Sequence, residues 1–190
     1  MGSETEVYEG VITITRSGTG FFALGENRED LIIPREALGG AFPYDVVKVV
    51  ATGTIENPKT KGRRQAGKVV EVVTRARETF VGKLIQGEGS EQGLTLLIPD
   101  WKKMYTPFVV QGEALPIGHK VLIRFKGWDP RQEFPWGTVE EIIGVAGVHE
   151  TEMRALALAQ GFASEFPPGV ERDAKALEST GEAMIAEEAM

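Results

Sequence analysis

Short runs of alternating hydrophobic and polar residues, separated by glycine and proline, cover most of this chain. The first run, residues 8–15, is rich in β-branched side chains, and the second, residues 18–24, follows a turn with two glycines. Such runs predict short antiparallel strands. If Phe22 and Leu24 face the core, the two-residue period of a strand turns Phe21 outward.

Further short runs complete one structural unit. Residues 30–34 form a brief apolar run that ends in proline, and residues 34–38 have the pattern of one helical turn. Strands are then predicted over residues 44–50 and 66–73, with a basic loop at residues 53–65 between them. This unit therefore contains five short strands.

The same pattern then begins again, which indicates an internal repeat. The matching segments are 8–12 and 80–84, 44–49 and 118–123, and 67–73 and 137–143, at offsets of 72, 74 and 70 residues. Near-constant offsets in the same order indicate two copies of one unit. Five strands with glycine turns in about 70 residues predict an OB-fold barrel. An SH3-like barrel is the alternative, and the helical turn between the third and fourth strands favours the OB fold.

Beyond residue 147 the composition changes to alanine, glutamate and methionine. A helix is predicted over residues 152–160, and weaker helical patterns follow at 170–179 and 182–190. The expected fold class is all-β, with two tandem five-stranded, cold-shock-like OB barrels followed by a short helical tail. The expected domains are residues 1–78, residues 79–147 and an acidic, partly helical linker at residues 148–190.

Charge and composition exclude several classes of function. The net charge is −7, but nine acidic and only three basic residues lie in 149–190, so the strand-rich part is almost neutral and can still bind nucleic acid. The absence of cysteine excludes disulfides, thiolate zinc sites and cysteine nucleophiles. No apolar run approaches the roughly 20 residues of a membrane span. We expect a soluble, cytoplasmic protein with no membrane partner.

Catalytic and metal sites have little support in the sequence. His119 and His149 have no obvious partner, and the five aspartates are scattered singly through the repeat. The glycine-rich residues 87–93 fit a hairpin better than a dinucleotide site. We therefore predict no catalytic residue, no metal ligand and no cofactor in this chain.

Nucleic-acid binding has better support. Phe21 is the predicted stacking residue, although a core phenylalanine in a register shifted by one residue is the alternative. The basic loop could follow a nucleic-acid backbone or could be a solvated hairpin tip. Trp128 and Trp136 are interpreted as barrel plugs or as packing between the units. The candidate RNA-binding residues are Phe21, Arg16, Arg28, Arg35, Lys59, Lys61, Arg63, Arg64, Trp101, Lys102 and Lys103.

Several short motifs, in a distinctive order, resemble a known family. Gly18-x-Gly20-Phe21 and residues 30–34 and 45–49 resemble the first cold-shock domain of the ribonuclease R / ribonuclease II exoribonucleases. Residues 81–82, 97–100 and 118–123 are similar to the second cold-shock domain, and residues 143–167 to the helical connector that follows it. The resemblance covers nearly the whole chain.

The resemblance implies a clamp that guides single-stranded RNA toward a magnesium-dependent, 3′-to-5′ active site. Nothing in this chain matches the carboxylates of that site, so we expect binding without cleavage. Magnesium is expected only in the missing catalytic domain, and the expected partners are single-stranded RNA and that domain or another protein.

The chain departs from the family pattern at positions that usually carry stacking aromatics. Thr19, Ile32, Leu94 and Leu96 stand there instead, so we expect weak stacking and a dominant electrostatic contribution. The alternative function is a double OB module that binds protein and has little RNA affinity. An intact small enzyme is a third hypothesis, for which we expect no turnover.

Overall fold

The first half of the chain folds into a closed five-stranded barrel. The computed structural model describes residues 6–25, 28–56, 62–129 and 132–162. The strands are β1 (Val7–Ile14), β2 (Gly20–Phe22), β3 (Leu31–Ile33), β4 (Val46–Glu56) and β5 (Arg63–Thr74), with a 3-10 turn at Arg35–Ala37. Their order around the barrel is β1-β2-β3-β5-β4, and only the β3–β5 pairing is parallel.

The second half repeats this topology. Its strands are β6 (Thr79–Gln86), β7 (Thr95–Pro99), β8 (Phe108–Gln111), β9 (His119–Gly127) and β10 (Trp136–Val145), followed by the helix α1 (His149–Ala159). The closed order β6-β7-β8-β10-β9 matches that of the first barrel strand for strand. The predicted fold class is therefore confirmed. The 3-10 turn of this half, Gly89–Glu91, lies between its first two strands rather than between its third and fourth.

The register predicted for β2 is confirmed. Phe22 is buried in the core of the first barrel, whereas Phe21 is half-buried and Ala23 is exposed. Leu31 and Ile33 belong to the same core cluster, while Ile32, on the other side of its strand, is also buried. The period of two residues thus orients β2 correctly.

The predicted extent of the basic loop, residues 53–65, was wrong at both ends. Pairing between β4 and β5 continues as far as Glu56 and Arg63, so Arg63 and Arg64 lie in a strand. A register shift at Gly53, where φ is 135°, bends the ladder before it continues. Backbone pairing with β4 holds the polar start of β5 in an extended conformation, although the side chains there have little propensity for a strand. The remaining loop residues, with Lys59 and Lys61, lie outside the described residues.

Each barrel contributes an aromatic side chain to the core of the other. Phe42, from the segment before β4, belongs to the core of the second barrel, 5.5 Å from the Phe80 ring and 5.0 Å from the Phe125 ring. Tyr105, from the segment before β8, packs into the core of the first barrel. Its hydroxyl donates a 2.8 Å hydrogen bond to the carbonyl of Ala41. The two barrels therefore share one interface core.

A buried ion pair fixes the connection between the barrels. Asp45 is fully buried and accepts hydrogen bonds from the backbone amides of Phe42 and Ala76, at 2.8 and 2.9 Å. Arg75 donates to the same carboxylate at 2.6 Å, and its guanidinium lies 4.4 Å from the Phe42 ring centroid. The carboxylate is therefore compensated by hydrogen bonds from Phe42 and from the linker residues Arg75 and Ala76, as a buried charge requires.

The helix α1 is fastened to the second barrel by polar contacts. Lys120 binds both carboxylate oxygens of Asp100 at 2.6 Å and lies 3.3 Å from Glu152 on the helix. Arg77 donates to the carbonyl of Ala159 at the end of the helix. The presence of α1 confirms the predicted helix. The helical patterns at 170–179 and 182–190 lie outside the described residues. No helix in the described ranges is long and apolar enough to cross a membrane.

Candidate nucleic-acid interface

An open groove at the seam between the barrels brings together predicted residues from both halves of the chain. Its volume is about 470 Å³, and its side chains include Arg16 and Phe21 of the first barrel and Lys102 and Lys103 of the second. Thr13, paired with Phe21 across β1 and β2, completes one wall. We call this feature the seam groove.

The two lysines reach the first barrel because the residues that follow them are anchored in both barrels. Met104 packs in the core of the second barrel and Tyr105 in the core of the first. A turn closed by the Met104 amide and the Trp101 carbonyl, at 2.9 Å, leaves Lys102 and Lys103 exposed. Burial of their neighbours therefore directs these two charges into the seam groove.

The side chains that line the seam groove have one sign of charge. They carry three cations and no carboxylate, in a chain whose net charge is −7. Phe21 contributes a half-exposed ring to the same surface. Cations beside an accessible aromatic face are the features that bind single-stranded nucleic acid.

Tyr44, which the sequence analysis did not identify, borders this surface. The predicted strand at 44–50 begins only at Val46, and Tyr44 lies before it with a φ of 71°. Its ring is 39% exposed, and Lys103 donates a 2.5 Å hydrogen bond to its hydroxyl. A positive φ costs a bulky residue about 1–3 kcal/mol. No periodicity in the sequence reveals such a conformation.

Trp101 lies farther along the same surface and has mainly a packing role. Its ring centroid is 6.2 Å from that of Tyr44 and 6.3 Å from that of Phe80, and it packs against the core of the second barrel. The guanidinium of Arg77 lies 4.9 Å from its ring centroid. Trp101 therefore contacts both the core of the second barrel and the region of Tyr44, and is only partly accessible.

A second cavity adjoins this surface beneath the helix α1. Its volume is about 820 Å³, and Lys102 and Lys103 line it as well as the seam groove. Arg77 and Lys120 add positive charge, but Lys120 is already paired with Asp100. Because Asp100 and Glu152 also line it, this second cavity is of mixed charge, and Lys102 and Lys103 are the residues that it shares with the seam groove.

The other predicted arginines lie elsewhere. Arg35 lines a separate cavity of about 380 Å³ with Trp128, and its guanidinium lies 5.7 Å from the Tyr105 ring centroid. Arg28 and Arg63 line a fourth cavity together with Glu6 and Glu29. The negative charges of these two glutamates would repel a phosphate group in that cavity.

Local pairing also occupies Arg28. Its guanidinium donates to the Tyr8 hydroxyl at 3.3 Å, and that hydroxyl donates to Glu6 at 2.5 Å. The hydrogen bond to Glu6 raises the pKa of Tyr8 above its ordinary value. Arg64 is half-buried on β5 opposite Ile55. Among the described residues, the predicted site therefore divides into the seam groove and a set of dispersed arginines.

No metal centre is present among the described residues. In the ranges that the structure covers, no group of three histidine, aspartate or glutamate side chains could hold an ion.

Comparison with known proteins identifies the second barrel. Residues 97–167 match the family model of the cold-shock domain CSD2. The match begins within β7 and continues past α1. The predicted resemblance to cold-shock domains is thereby confirmed. A search of curated proteins found no match.

Solved structures share the fold of the two barrels together. The apo form of Mycoplasma genitalium RNase R has a TM-score of 0.64 and 18% identity over 89% of this chain and 26% of its own. The same RNase R in complex with ribose methylated single-stranded RNA gives the same values. Yeast Ssd1, a pseudonuclease, has a TM-score of 0.64 and 15% identity, over 82% of this chain and 25% of its own.

These solved structures are only distantly similar to this chain in sequence. At 15–18% identity they show the fold, and the chain spans about a quarter of the length of each. The two barrels therefore match one part of each of these longer chains.

Proposed function

We propose that this cold-shock pair binds single-stranded RNA in the seam groove. It would form the RNA-binding part of a larger 3′-to-5′ exoribonuclease whose magnesium-dependent catalytic domain lies outside this chain. The observation that carries the proposal is the convergence of Phe21, Arg16, Lys102 and Lys103 from two barrels on one groove that lacks carboxylates. The RNA complex of the RNase R with the same fold supports the choice of ligand.

Binding in this groove would depend mainly on charge. Phosphates would lie along Arg16, Lys102 and Lys103, while an unstacked base rests on Phe21. A paired helix keeps its bases stacked inside, so an exposed ring favours a single strand. Because the shared core fixes the barrels relative to each other, the groove is already formed before RNA binds.

Fluorescence anisotropy with a labelled RNA of about 16 nucleotides tests the proposal. Three phosphate contacts predict a slope of about −2 in log K against log salt, so affinity should fall about 20-fold between ~50 and ~200 mM salt. The double variant Lys102→Glu/Lys103→Glu should lose most of the binding. Lys68→Glu/Lys126→Glu, which changes two exposed lysines outside this groove by the same charge, is the matched control.

Two results would contradict the proposal: no binding at low salt, or equal losses in the two double variants. Incubation of the same RNA with Mg²⁺ should leave it intact, since the described residues include no cluster of histidine, aspartate or glutamate side chains that could hold the ion.

A protein-binding module is the second candidate function. One observation favours it: three apolar side chains at the end of the chain's described part, Met153, Leu156 and Phe162, are 55–68% exposed. A stable protein partner that is lost on Leu156→Asp, together with no RNA binding, would support this alternative.

A further inference from the structure

The placement of Tyr44 combines a strained backbone with an exposed ring. It is one of only two non-glycine residues with a positive φ in the described ranges, the other being Ala114 at 49°. Glycine adopts this conformation without steric cost, whereas a tyrosine does not. The turn alone therefore does not account for a tyrosine here.

The backbone around Tyr44 is held in place by its neighbours. Its amide donates to the Ile12 carbonyl at 2.8 Å, and the Ile12 amide donates to the Asp45 carbonyl at 3.0 Å. The buried carboxylate of Asp45 is fixed in turn by the junction of the barrels. The strain is thus maintained by surrounding structure, as is common at binding sites.

The ring of Tyr44 has the surroundings of a base-binding site. Lys103, which lines the seam groove, binds its hydroxyl and lies 5.1 Å from its ring centroid. The Trp101 ring also lies near it, at 6.2 Å between centroids and tilted by 35°. A base stacked on Tyr44 would have its phosphate within reach of the Lys103 ammonium.

We infer that Tyr44 is a second stacking platform for a nucleobase, which the strand reaches after Phe21 as it crosses from the first barrel to the second. This inference rests on the proposed function and adds to it a base-binding residue at the seam. Tyr44 would supply part of the base stacking that Thr19 and Ile32, which stand in place of aromatic residues, cannot provide. The ligand at this position is an unpaired base of single-stranded RNA.

The substitution Tyr44→Gly separates binding from stability. It removes the ring and relieves the backbone strain, so the unfolding midpoint should be unchanged or higher while RNA affinity falls roughly 5- to 150-fold. Tyr44→Phe keeps the ring and should retain most of the affinity. Ala114→Gly relieves strain at the other positive-φ residue without removing a ring, and should leave RNA affinity unchanged.

The fluorescence of a stacked base distinguishes a stacking role of Tyr44 from a purely structural role. RNA that contains 2-aminopurine should change its emission on binding to the wild-type chain and to Tyr44→Phe, but less on binding to Tyr44→Gly. If Tyr44→Gly binds as tightly as wild type, or if Tyr44→Phe loses as much affinity as Tyr44→Gly, the inference is overturned. Both results leave the proposed function intact, whereas failure of the wild-type chain to bind RNA at low salt would overturn both.

Discussion

Removal of the Phe42 side chain should destabilise the second barrel although the residue belongs to the first. Phe42 is fully buried, and its ring lies within 5.0 to 6.0 Å of four aromatic rings of the second barrel, those of Phe80, Phe108, Phe125 and Trp128. Truncation of such a phenylalanine to alanine costs about 3–5 kcal/mol. Loss of the guanidinium contact from Arg75 adds to this cost.

The effect can be measured by urea unfolding. With a denaturant slope of about 2 kcal/mol per molar urea, Phe42→Ala should lower the midpoint by about 2 M. All three tryptophans, Trp101, Trp128 and Trp136, lie in the second half of the chain, so their fluorescence reports mainly on that barrel. Far-UV circular dichroism reports on both barrels.

Two reference variants complete the experiment. Phe22→Ala removes a ring from the core of the first barrel, and the shared interface predicts that it too lowers the tryptophan-reported midpoint. Val11→Ala changes a half-exposed side chain and should move neither signal by much. If Phe42→Ala left the tryptophan midpoint unchanged while circular dichroism showed an earlier separate step, the barrels would be independent and the reasoning wrong.

Two further predictions concern the second barrel. Gly82→Ala should cost about 3 kcal/mol in urea unfolding, because its Cβ would lie 2.2 Å from a backbone carbonyl oxygen of β7. Gly10→Ala, at the matching position of the first barrel, meets only side-chain atoms of the buried Phe22 ring, at 3.1 Å, and should cost less. Equal midpoints would contradict this reasoning. The Gly147 amide, which donates to Glu152 at 2.8 Å, holds the pKa of that carboxyl below its ordinary value of 4.5. This stabilisation is present above about pH 4.5 and is lost as the pH falls through the lowered pKa, so the thermal midpoints of wild type and Glu152→Gln should differ near pH 6 and approach each other as the pH falls through that lowered pKa. A constant difference across that range would exclude the assigned role of Glu152.

Much of the fold could be predicted from local pattern. Alternation placed Phe22 inside and Phe21 toward the surface, and the repeat of spacing predicted two barrels of the same topology. These predictions succeeded because strand period and turn residues depend on neighbours in the sequence. The extent of β4 and β5 was not predicted, since their polar ends are held by cross-strand pairing.

The candidate site could be predicted only in part. Phe21, Arg16, Lys102 and Lys103 were chosen separately from the sequence, and the structure places them around one groove. Arg28, Arg35 and Arg63 line other cavities. Cationic residues give no local signal of which surface they will share, because that depends on how distant segments pack.

The strand pattern, the internal repeat, the helix α1 and the resemblance to cold-shock domains could all be predicted from the amino-acid sequence. The exchange of Phe42 and Tyr105 between the barrel cores, the hydrogen bond from Lys103 to Tyr44 and the cationic groove at the seam became evident only in the folded chain. The difference lies in how far apart along the chain the interacting residues are. Periodicity records contacts within a strand or turn, whereas the seam is made by side chains about 60 residues apart, whose meeting depends on the packing of two completed barrels.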